Sequence, residues 1–104
     1  MSRFLLTPTA KEDLQEIADF IRQDSPDAAK RVVRKLRESM VQLAGTPWMG
    51  HLREDLTDEP IRFWPVYSYL IIYRPETRPL QVLRVLHGAR DVRTILAASF
   101  PILR

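Results

Sequence analysis

Between Pro8 and Gly45 the apolar residues return every three or four positions, and from Ile61 onward they return every second position. The first rhythm belongs to helices that bury one stripe, the second to strands that present alternate faces. Thr7-Pro8 offers a capping side chain and a proline suited to a first helical turn, so a helix is predicted over residues 8–23. Its apolar stripe is Ala10, Leu14, Ile17 and Ile21, widened by Ala18 and Phe20; Lys11, Glu12, Asp13, Glu16 and Asp19 make the other side largely acidic. Ser25-Pro26-Asp27 repeats the device, and a second helix carries Ala29, Val32, Val33, Leu36, Met40 and Leu43 until Gly45 stops it. Only a few residues join the two, which predicts an antiparallel hairpin. Ahead of both, residues 3–6 are a short β-compatible run that leads straight into the first helix.

Three strands are predicted at 61–64, 67–74 and 80–87. Pro65 interrupts the first pair, Pro75-Glu76-Thr77-Arg78-Pro79 turns the second, and short turns make neighbours antiparallel. Strict alternation puts Tyr67, Tyr69, Ile71 and Tyr73 on one face of the middle strand and Leu70 and Ile72 on the other. In the last strand it separates Val82, Arg84 and Leu86 from Leu83, Val85 and His87. Both faces are apolar, and a two-helix hairpin covers only one. The other is expected to be shared between a short helix over 91–98, with Val92, Ile95 and Leu96 on one side, and a separate protein laid on the tyrosines, Ile71, Val82 and Leu86. The last strand runs into a charged turn at Gly88, where Arg90 and Asp91 either pair with each other or serve binding. Residues 46–51 read as a loop, with Trp48 as its anchor to the core. The pattern specifies an α+β fold in one domain, 1–104: an N-terminal strand, an antiparallel helical hairpin on a small, mainly antiparallel sheet, and a short C-terminal helix.

Composition narrows the chemistry. The chain has 104 residues, 45% hydrophobic and 28% charged, an ordinary folded composition. It has no cysteine, which removes disulfides and thiolate chemistry. Nothing approaches the roughly 20 apolar residues of a membrane span, and the opening Phe4-Leu5-Leu6 is too short for a signal peptide, so a cytoplasmic protein is expected. The net charge of +3 is modest, so its placement matters more than its size. Lys30, Arg31, Arg34, Lys35, Arg37 and Glu38 give the second helix a basic polar face; without aromatic residues for base stacking it reads as a solvated or hairpin-bridging face. The two histidines are far apart, the glycines form no phosphate loop and the serines lack a nucleophile-elbow context, so no metal, no cofactor and no intrinsic catalysis are expected.

One resemblance covers nearly the whole chain, from about Phe4 to Leu96. Leu-Thr-Pro-Thr-Ala at 6–10, Asp13-Leu14, Ile17, the Pro47 and Gly50 loop, Ile61-Arg62, the tyrosine strand at 69–73, and Arg-Val-Leu-His-Gly-Ala-Arg-Asp at 84–91 together resemble the ParE branch of the ParE/RelE superfamily of toxins. The resemblance implies a toxin of a type II toxin-antitoxin module, also known as a plasmid stabilisation protein. Such a toxin poisons DNA gyrase and is neutralised by a cognate ParD-like antitoxin, an acidic protein whose segment wraps it in a hetero-oligomer. The rival within the superfamily is the RelE-like ribosome-dependent messenger ribonuclease. There the resemblance places a tyrosine or histidine in the C-terminal segment, where this chain reads Ile95-Leu96-Ala97-Ala98. Candidate contacts to the target are Arg62, Arg84, His87, Arg90 and Arg93. Candidate contacts to the antitoxin are Tyr69, Ile71, Tyr73, Val82, Arg84 and Leu86.

Overall fold

The computed structural model describes residues 3–103. A short strand β1 (Phe4–Leu6) enters helix α1 (Pro8–Arg22), which turns through Ser25 into the antiparallel α2 (Pro26–Gly45). Both predicted caps form: Thr7 Oγ1 accepts from the Ala10 amide and Ser25 Oγ from the Ala28 amide, each at 3.1 Å. A 3-10 turn (Pro47–Met49) and a long loop lead to β2 (Arg62–Val66), β3 (Tyr69–Arg74), β4 (Leu80–His87) and a closing helix α3 (Val92–Leu103).

The sheet order is β1-β4-β3-β2, with β1 parallel to β4 and the other neighbours antiparallel. Pro65 does not interrupt β2. That strand runs along the sheet edge, where a missing amide is tolerated, and the hairpin turn falls instead at Tyr67 and Ser68. Tyr67 takes a left-handed φ of 54° there, as a two-residue hairpin turn requires.

Two cores lie on the two faces of the sheet. Under the hairpin, Leu14, Ile17, Leu36, Met40 and Leu43 pack on Ile71, Tyr73, Leu80, Val82 and Val85. On the far face, Val92, Leu96 and Phe100 of α3 pack on Phe63, Ile72, Leu83 and Leu86. The expected open sheet face therefore does not exist. Ile71, Tyr73, Val82 and Leu86 are at most 1% exposed and have no surface to give a partner. Strict alternation failed at one place: the pairing slips between Ile72↔Arg84 and Tyr73↔Val82, leaving Leu83 as an extra residue in β4. That bulge puts Val82 and Val85 on the hairpin side, and Leu83 and Leu86 on the α3 side.

Candidate functional site

β1 ends at Leu6, so beyond Val82 the flank of β4 loses its neighbouring strand. Side chains take over its backbone groups: Thr7 Oγ1 donates to Leu83 O at 2.8 Å, and Asp13 Oδ2 accepts the Val85 amide at 3.0 Å. Asp13, on α1, also receives Arg84 Nε at 2.8 Å and Nη2 at 2.9 Å, a two-pronged pair whose side chains are 5% and 12% exposed. The bond to Asp13 raises the Arg84 pKa further, against the opposing effect of burial. Arg84 Nη1 reaches Ser99 on α3 at 3.2 Å, so this guanidinium ties the hairpin, β4 and α3 together. Arg84 is thus a structural cation rather than a contact held ready for a target or an antitoxin.

The remaining cationic candidates stand apart from one another. At the end of β4, His87 Nδ1 accepts the Ala89 amide at 3.0 Å and its ring meets Tyr69 edge-on at 5.3 Å. His87, Tyr69 and Arg90 line a groove of about 470 Å³ with Glu16, Ile17 and Phe20 of α1. No Arg90–Asp91 ion pair forms among the described residues; Asp91 instead caps α3, taking the Thr94 amide at 3.3 Å and its hydroxyl at 2.8 Å. Arg93 donates to the Asp55 carbonyl at 2.9 Å, while Arg53 holds the Asp55 carboxylate at 2.8 and 2.9 Å. Those bonds from Arg53 lower the pKa of the exposed Asp55 carboxyl.

Arg62 lies on the edge strand opposite Tyr73, at the far end of β3 from Tyr69 and His87, beneath Trp48. Its Nη1 donates to Gly50 O at 2.7 Å and to Trp48 O at 3.4 Å, and its guanidinium carbon is 5.1 Å from the centre of the Trp48 ring. Trp48 is not the core anchor its sequence context suggested, since it is 61% exposed. The anchor is Tyr73. Its buried hydroxyl donates to Pro47 O at 2.7 Å and accepts the Gly50 amide at 2.9 Å, so both ends of the turn are fixed to the sheet.

Sequence reasoning missed a groove of about 800 Å³ lined by both helices of the hairpin. Its apolar lining is Leu14, Ala18, Ala29, Val33 and Val41; its cations are Lys11 and Arg22 on α1 and Lys30, Arg34 and Arg37 on α2, with one anion, Glu38. Arg22 pairs with Asp19 at 2.6 Å, and the hydrogen bond from Gln15 together with this one holds the Asp19 pKa low. No ion pair engages Lys30, Arg34 or Arg37 among the described residues, so the basic face of α2 is solvated and does not bridge to α1. The signal was present in sequence: small or short apolar residues, Ala18, Val33 and Val41, sit beside cations at positions where a core stripe would use larger ones.

Among the described residues no helix is long and apolar enough to cross a membrane, and no cluster of three His, Cys, Asp or Glu is arranged to hold a metal ion. Compared with known proteins, residues 4–92 match the family described as the ParE toxin of the type II toxin-antitoxin system parDE. Among solved structures, one described as the chromosomal ParDE TA system from P. aeruginosa superposes with a TM-score of 0.67 at 22% identity, covering 84% of this chain and 96% of that one. At that identity the likeness speaks for the fold. No curated protein gives a match.

Proposed function

This chain belongs to the ParE toxin family of type II toxin-antitoxin systems, and from that premise we propose that it arrests growth in the cytoplasm by binding and poisoning DNA gyrase, and that an acidic ParD-like antitoxin neutralises it. The observation that carries the antitoxin half is the hairpin groove. A groove lined by apolar residues and by cations from both helices suits one amphipathic helix whose apolar stripe seats on Ala18, Ala29 and Val33 and whose flanks are acidic. The groove replaces the sheet face as the docking place, because the sheet is covered on both sides by this chain's own helices.

Gyrase as the target is supported by the family membership and by the chemistry available for the rival reaction. Ribosome-dependent cleavage of messenger RNA by attack of the 2'-hydroxyl calls for a base, an acid and cations converging on one phosphate. Here Arg84 is committed to Asp13, Arg62 pairs with Tyr73 at the other end of β3 from the Tyr69–His87 pair that lines the groove, and Leu96 is buried in the second core. Binding without catalysis is therefore the reading, with Arg62, His87, Arg90 and Arg93 as candidate contacts to the target. The decisive assay sets purified toxin against gyrase and against translating ribosomes side by side. Loss of supercoiling with intact messenger RNA is expected; intact supercoiling with cleaved message would replace this reading by the ribonuclease one.

A further inference from the structure

We propose that Trp48, presented on the stapled turn at residues 47–50 and backed by Arg62, is the principal anchor by which this toxin grips the gyrase protein; the proposal rests on the gyrase reading above. An indole left 61% exposed is a large apolar surface that water solvates poorly. A mobile loop would lessen that burden by folding the ring back. The backbone of this turn is fixed, because Tyr73 holds the Pro47 carbonyl and the Gly50 amide, and Arg62 packs over the ring itself. Gly50 completes the lock: a Cβ there would collide with the Tyr73 hydroxyl, so the backbone lies directly against the phenol. The ring is held out from the surface at small entropic cost to a partner, the arrangement in which a single aromatic contributes most to an interface.

The surroundings favour a protein over a nucleic acid. Arg62 stacks on one face of the indole and gives Nη1 to the Trp48 and Gly50 carbonyls, which directs it to holding the ring in place. Beside it, His51 lies parallel to Trp64 at 5.9 Å and exchanges two 2.8 Å backbone bonds with Phe63, so the chain leaving the turn is fixed as well. Phosphate tracking needs unpaired cations, and the next one along the chain, Arg53, is held by Asp55 in a loop that also carries Glu54, Asp58 and Glu59. An apolar recess on a protein, deep enough for an indole, meets this surface better than a phosphate backbone does. Trp48 does not line the hairpin groove, so the anchor and the antitoxin groove are separate surfaces. The rival anchor is the His87–Arg90 groove with its exposed Phe20.

The test measures binding of the purified full chain to assembled gyrase holoenzyme for wild type, Trp48→Ala, Trp48→Phe, and Phe20→Ala combined with Arg90→Ala. Truncating a central aromatic anchor weakens binding by roughly 30-fold or more. Trp48→Ala is expected to show that loss with an unchanged thermal midpoint, Trp48→Phe to recover part of it, and the Phe20/Arg90 pair to lose clearly less than Trp48→Ala does. Trp48→Ala binding within about threefold of wild type overturns the anchor alone and leaves the gyrase reading standing, as does a larger loss from the Phe20/Arg90 pair. Wild-type chain that does not bind gyrase overturns both.

Discussion

Replacing Asp13 by alanine should be the most damaging single-carboxylate change in the molecule, and the structure gives its size. The substitution removes both acceptors of the Arg84 fork, at 2.8 and 2.9 Å, and the acceptor of the Val85 amide at 3.0 Å. Exposure of only 5% and 12% for the two side chains leaves water little room to replace the carboxylate. Removing one partner of a buried ion pair costs about 3–5 kcal/mol, and an orphaned buried amide about 1–3 kcal/mol. The two overlap, since water that reaches the guanidinium also reaches the neighbouring amide, so a loss of about 4 kcal/mol is expected. Against a total stability of roughly 5–15 kcal/mol for a chain of this size, that is a large share. Urea unfolding followed by circular dichroism reads it directly: with a slope of about 1–3 kcal/mol per molar, the midpoint falls by roughly 2 M. The double change Asp13→Leu with Arg84→Met should recover part of the loss, because no unpaired charge then remains although the Val85 amide still lacks its acceptor. A cost below about 1 kcal/mol for Asp13→Ala, or a double variant as unstable as the sum of its single variants, would refute the role given to this pair.

Two further outcomes follow from the cores. Tyr73→Phe leaves Pro47 O and the Gly50 amide without their phenolic partner and should cost about 1–3 kcal/mol in the same unfolding assay. It should also change the alkaline limb. Burial raises the Tyr73 pKa above its ordinary 10.0, with the Gly50 hydrogen bond opposing, so the folded state holds that proton more tightly than the unfolded state. The associated stabilisation is complete below pH 10 and drains away as pH climbs through the folded value, a slope that Tyr73→Phe lacks and that stability measured from pH 9 to 11 will show. Leu96→Ala, at a fully buried position of α3, should cost about 2–5 kcal/mol and increase dye binding to exposed apolar surface; no change in either would mean that α3 does not seal the second core.

The helices were legible residue by residue because each signal is local: a cap, a proline, a three-four spacing and a terminal glycine. β1 and the antiparallel β2-β3-β4 order followed from short connections in the same way. What alternation could not reveal is the bulge at Leu83, because an unpaired residue leaves no mark on composition and yet reverses which face every later residue of β4 occupies. That slip misplaced Leu86, whereas the open sheet face came from expecting a helix only over 91–98; α3 runs on to Leu103 and brings Phe100 into the second core, so Ile71, Tyr73, Val82 and Leu86 are all buried. Trp48 and Tyr73 exchanged roles for a related reason. The sequence pattern put Trp48 in the core and Tyr73 against a partner, and only the hydroxyl reaching Pro47 and Gly50 shows which of them holds the turn. Arg84 and Asp13, 71 positions apart, were each assigned to surfaces until the fold brought them together.

The claim on which the rest turns is that the toxin is neutralised through the hairpin groove rather than through its sheet. Calorimetric titration of the toxin with its co-encoded antitoxin, comparing wild type with Val33→Glu, measures this most directly. A carboxylate in the groove lining should weaken the complex by roughly 30-fold or more, while Tyr69→Glu, on the half-buried strand outside that groove, should leave the affinity within about threefold of wild type. Equal affinity for wild type and Val33→Glu, with the loss appearing instead at Tyr69, would contradict it.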